Sequence, residues 1–137
     1  MHNQATRPLK SALLLFRIIF FICAIFFFLL GMLMILFPDL MTRTAGEQDP
    51  LILGILRGSG GSVIIYALFY LFIAMKPFAR RWAACIIACA NLLAIGLDIA
   101  SVRLGEYAFS NVVIDISVET LSFLTIVTFY SLFKTSQ

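Results

Sequence analysis

The chain has 137 residues, of which 62% are hydrophobic and only 12% charged, with a formal net charge of +3. Its mean hydropathy is +1.05; soluble domains carry about 25% charged residues, so this composition excludes an ordinary soluble fold and points to lipid as the solvent. The ten basic residues do not cluster with interleaved aromatics on a solvated face, which excludes a nucleic-acid partner.

Four apolar runs occupy residues 12–37, 51–75, 82–102 and 112–133. Each exceeds the roughly 20 helical residues needed to cross a ~30 Å hydrocarbon core. The first run follows Arg7 and Lys10 as a secretory signal would, but it is much longer than a signal's apolar region and reads as a retained span. Its phenylalanines, Phe16, Phe20, Phe21, Phe26, Phe27 and Phe28, are spread around the helix and are expected to face lipid, with Arg17 reaching to the interface. Phe37-Pro38-Asp39 ends this span, because proline cannot continue the hydrogen-bond ladder. Asp49 and Pro50 suit the N-cap and first position of the second span. Lys76-Pro77 closes it, and Ser110 and Asn111 are candidate caps for the fourth span.

Connections of about a dozen, six and nine residues leave room only for antiparallel neighbours. The expected fold is therefore all-α, an antiparallel four-helix integral membrane bundle forming one domain over residues 1–137. Seven basic residues, Arg7, Lys10, Arg17, Lys76, Arg80, Arg81 and Lys134, fall on one side, against Arg43 and Arg103 on the other. Excess Lys and Arg marks the cytoplasmic side, so both termini and the 76–81 turn are expected inside. Asp39, Glu47, Asp49 and Glu106 then lie outside.

Four ionisable residues remain within the spans: Arg57, Asp98, Asp115 and Glu119. Counted from the ends of the apolar runs, they fall within about 4–11 Å of the outer boundary. Charge at the centre of a span costs roughly 2.5–3.5 kcal/mol even on lenient scales, so this common layer calls for a reason. Asp115 and Glu119 share a face at four-residue spacing, and Asp98 shares one with Asn91. Gly54, Gly58 and Gly61 form a small-residue strip beside Arg57 that would admit a neighbouring helix. A bundle-facing cluster is expected, in which Arg57 bonds Glu119 or Asp98.

Two roles fit such a cluster. It is a structural clamp fixing helix register, or, because one arginine faces three acids, an anionic site for protons, cations or small amphiphiles. The residues offer no catalytic triad, no histidine metal site and no cofactor motif; His2 is the lone histidine. Gly58-Ser59-Gly60-Gly61 matches a phosphate loop in composition only, since it lies mid-helix and lacks the Gly-Lys-Ser/Thr ending. Cys23, Cys85 and Cys89 lie in apolar helix and read as packing residues. Tyr66 and Tyr70 read as core or lipid contacts.

Leu36-Phe37-Pro38, Arg57 with Gly60-Gly61, Pro77 with Arg80-Arg81, Gly96 and Glu119 occur in an order that resembles DoxX-like membrane proteins and a related family of unknown function. The resemblance spans about residues 25–133 and implies a four-helix fold in a bacterial inner membrane. Some DoxX-like proteins are associated with quinone-linked oxidation. This chain departs from the pattern at Gly58 and Asp98, which stand where an acidic and a basic residue are expected. The expected function is a non-catalytic accessory or structural membrane subunit, with the lipid bilayer and a second copy or another membrane protein as partners. A small transporter or binder, and a quinone-linked oxidoreductase subunit, are the alternatives.

Overall fold

The computed structural model describes residues 6–42, 50–105 and 108–134. Five helices follow in order: α1 (Thr6–Leu36), α2 (Pro38–Thr42), α3 (Pro50–Met75), α4 (Arg81–Leu104) and α5 (Phe109–Lys134). The fold is an all-α bundle, as the composition requires. Within α1, α3, α4 and α5, the segments Lys10–Leu36, Leu51–Met75, Arg81–Leu104 and Phe109–Phe133 are each long and apolar enough to cross a membrane. This is the signature of a multi-pass membrane protein.

The helix ends follow from local chemistry. Pro38 terminates α1, whose last bond runs from Phe37 N–H to the Leu33 carbonyl at 2.8 Å, and then opens α2 as its first residue. That short helix has no counterpart in the apolar pattern. Pro50 likewise opens α3, while the expected Asp49 cap lies outside the described residues, as do Arg43, Glu47 and Glu106. α4 ends at Gly105, whose φ of 75° is the left-handed conformation that glycine adopts without a Cβ penalty. Its N–H reaches the Val102 carbonyl at 3.1 Å. Arg103 sits exposed in the last turn, where a cation suits the helix dipole. α5 starts earlier than expected, at Phe109, so Ser110 and Asn111 belong to its first turn and do not cap it.

Packing divides the chain into two units, residues 1–20 with 73–137, and residues 21–72. In the first unit, α4 and α5 pack as an antiparallel pair. Asn91 meets Ser122 across it, and Arg81, near the other end of α4, lies 5.5 Å from the Tyr130 ring. At that end Phe16 stacks on Phe20 at 4.1 Å and meets Phe129 in a tilted contact at 4.2 Å. Phe78 adds contacts to Phe129 and Phe133. The Tyr130 hydroxyl donates to the Pro77 carbonyl at 2.7 Å, tying α5 to the turn before α4. The Arg17 guanidinium donates to the Met75 carbonyl at the end of α3, at 3.4 Å.

In the second unit, the later half of α1 runs antiparallel to α3. Phe27 stacks on Tyr70 at 5.5 Å and meets Tyr66 edge-on. Gly31 and Gly60 bring the two backbones together, since a Cβ on Gly31 would stand 2.7 Å from the Gly60 carbonyl oxygen. The expected strip behaves differently. At Gly54, Gly58 and Gly61 an added Cβ would meet nothing within 4 Å, so those glycines are not what this chain uses for close packing.

The phenylalanine expectation also needs correction. Phe16, Phe20 and Phe27 are core residues and Phe26 is half-buried, whereas Phe21 and Phe28 are exposed. The physical reason is the spacing of Phe16, Phe20, Cys23, Ala24 and Phe27, which forms one helical face despite the uniformly apolar sequence. The three cysteines are free; Cys23 is buried, while Cys85 and Cys89 are exposed and do not pack between helices as expected.

Candidate functional site: the polar seam of α4 and α5

α4 buries Ala83, Ala84, Ile87 and Asn91, and α5 buries Val112, Glu119, Ser122, Ile126 and Phe129. From Ala84 on α4 and from Glu119 on α5 the buried positions advance by three or four residues, the spacing of a helix–helix seam. One half of the seam is apolar, with Ile87, Ile126 and Phe129. The other half carries Asn91, Ser122, Glu119, Asp98 and Asp115.

Asn91 and Ser122 are both fully buried, at 0% exposure. Asn91 Nδ2 donates to Ser122 Oγ at 2.9 Å. Such a bond fixes the register of two apolar helices that could otherwise slide, and in membranes contributes about 0.6 kcal/mol on average, at most ~1.7. The two residues are equally far in sequence from the middle of the α4–α5 connection, and so are Asp98 and Asp115. Antiparallel pairing therefore sets both pairs opposite one another. Ser122 was not singled out by sequence reasoning, although this symmetry about the connection would have found it.

Two other hydroxyls on α5 are satisfied within their own helix. Ser117 Oγ donates to the Val113 carbonyl at 2.6 Å and Thr125 Oγ1 to the Leu121 carbonyl at 2.7 Å. Glu119 differs from all of these. It is only 8% exposed, and its Oε2 is buried with no hydrogen-bond partner. An unmet polar atom in such a position costs about 1–3 kcal/mol, and more when charged.

The three acids lie toward the same end of the α4–α5 pair. Asp98 on α4 and Asp115 on α5 are half-buried, and both lie within Coulombic range of Glu119. Measured from the observed helix ends, Asp98 is six residues in from Leu104 and Asp115 six from Phe109, about 9 Å each. Glu119, ten residues from Phe109, is about 15 Å in and thus deeper than the apolar runs suggested. No group of three His, Cys, Asp or Glu side chains is arranged to hold a metal ion among the described residues.

Arg57 was expected to face the bundle and bond Glu119 or Asp98. It lies on α3 with its side chain exposed, as are Gly54 and Gly58 on the same helix. Asn91, expected to share a face with Asp98, belongs to the seam, where it bonds Ser122. No family model, no curated protein and no solved structure matches this chain.

Proposed function

We propose that the chain is a non-catalytic accessory or structural subunit of a bacterial inner membrane, with both termini and the 76–81 turn in the cytoplasm. One observation carries this reading: the fully buried Asn91–Ser122 bond, a polar pair within apolar spans that faces its opposite helix and joins α4 to α5. Polar residues placed to fix helix register are what a scaffold requires. The seven-to-two bias of basic residues supports the orientation. The motif resemblance to DoxX-like proteins is in keeping with the location.

An accessory subunit needs a surface for its partner, either a second copy or another membrane protein. The exposed α3 face carrying Gly54, Arg57 and Gly58 offers small residues and one charge for this purpose. Native mass spectrometry from mild detergent tests the role. A defined oligomer or a stoichiometric protein partner is expected. A lone chain, with or without bound quinone, would overturn the accessory reading.

A further inference from the structure

At the end of the α4–α5 pair opposite the acids, a groove of about 330 Å³ runs between the two helices. Cys85, Ala88 and Cys89 form its α4 wall, and Ile126 and Val127 face them from α5. The α4 wall is made of small side chains, which leaves the space open. Arg81 and Tyr130 stand at its mouth. The Arg81 guanidinium lies 5.5 Å from the Tyr130 ring centroid, so a cation–π contact holds the charge there while the residue stays exposed.

Positive charge prevails at this end. Arg80 precedes Arg81, and Lys76 lies in the turn before α4. Asp98 stands seventeen residues beyond Arg81, about 25 Å of helix, and Asp115 and Glu119 lie toward that same far end. The complement of such a mouth is an anion, and the complement of the groove beneath it is a hydrocarbon. Dimensions narrow the choice further. From Arg81 to Cys89 the groove extends over eight residues, roughly 12 Å, against a hydrocarbon depth of about 15 Å for one leaflet. Trp82, exposed in the first turn of α4, suits the level of the membrane interface. A neighbouring helix about 10 Å across is too wide for this trough, since over the same length it displaces roughly 900 Å³. An acyl chain is narrow enough.

We propose that this groove is a binding site for one anionic phospholipid, whose phosphate meets Arg81 and whose acyl chain lies along Cys85, Ala88 and Cys89. Basic recesses between spans on the cytoplasmic side suit such head groups. The inference goes beyond the scaffold reading and requires only that the chain spans a bilayer.

Trp82 is the only tryptophan in the chain and stands three residues before Cys85, so its fluorescence reports on the site. The full chain is reconstituted in dioleoylphosphatidylcholine vesicles containing graded fractions of brominated phosphatidylglycerol or, in parallel, brominated phosphatidylcholine. Quenching of Trp82 gives the ratio of the two association constants. A ratio well above one is expected for the native chain. Arg81→Gln is expected to lower it about fivefold, the factor for one basic residue near an anionic surface. Ala88→Leu fills the groove, keeps every charge and is expected to lower the ratio as well; should it fail to fold, Cys89→Leu on the exposed wall takes its place. A ratio of one in the native chain overturns the proposal, as does the absence of quenching by either lipid, which would mean that protein covers this face. An unchanged ratio in Arg81→Gln overturns it too. So does an unchanged ratio in the groove-filling variant, because the preference would then be general attraction to surface charge.

Discussion

Replacing Gly31 by alanine is expected to destabilise the chain, whereas the same change at Gly54 or Gly58 is expected to stabilise it. A Cβ on Gly31 would lie 2.7 Å from both the Gly60 carbonyl oxygen and Ile64 Cγ1. Ordinary contact begins at 3.4 Å, so the facing backbone has to retreat by about 0.7 Å. A side chain could turn aside, but a carbonyl held in the α3 hydrogen-bond ladder cannot. Overpacking of this kind costs about 1–3 kcal/mol, and the better helix propensity of alanine returns about 1 kcal/mol. The net expectation is a loss of up to ~2 kcal/mol. Gly60→Ala behaves alike, since its Cβ would lie 2.8 Å from the Gly31 carbonyl oxygen. At Gly54 and Gly58 nothing lies within 4 Å, so only the propensity gain of about 1 kcal/mol remains. Reversible unfolding in mixed micelles, at protein concentrations low enough to keep the chain monomeric, reads the difference directly. If Gly31→Ala matched or exceeded wild-type stability while Gly54→Ala and Gly58→Ala fell below it, the assignment of the packing glycines would be wrong.

Glu119→Met removes a buried oxygen that lacks a donor, so it is expected to raise stability by about 1–3 kcal/mol; a lower melting temperature would show that the carboxylate has a partner. Tyr130→Phe deletes the 2.7 Å bond to the Pro77 carbonyl and is expected to cost about 0.5–1.5 kcal/mol in the same unfolding assay. Alkaline phosphatase fused after Gln137 is expected to stay inactive, and fused within 105–108 to become active; the reverse pattern would invert the proposed orientation.

The spans were legible because lipid imposes a length and an apolarity that few other solvents do. Residues 51–75 were delimited by Pro50 on one side and Lys76-Pro77 on the other, and α3 begins and ends there. The N-terminal limit of α1 was less visible, since helix geometry continues through polar residues such as Arg7 and Lys10 that an apolar count leaves out. Facing was the harder problem. In a helix that is apolar all round, lipid and core select the same residue types, so Phe20 and Phe21 look alike in sequence although the first is buried and the second exposed. The glycines failed for a related reason. Spacing marks a strip on the helix without saying which strip meets a neighbour, and Gly60 does so through Gly31 on α1. The carboxylates within the spans stood out in the sequence because they are costly there and therefore informative. Arg57 was grouped with them by depth alone, and depth does not fix the direction in which a side chain points.

The most direct test of the polar seam is a double-mutant cycle on Asn91→Leu and Ser122→Ala, measured by reversible unfolding in mixed micelles. The bond between these fully buried side chains predicts a coupling of about 0.6 kcal/mol, at most ~1.7, with the double variant less destabilised than the sum of the singles. Strictly additive losses would mean that α4 and α5 are not joined through this pair, and would remove the observation on which the scaffold role rests.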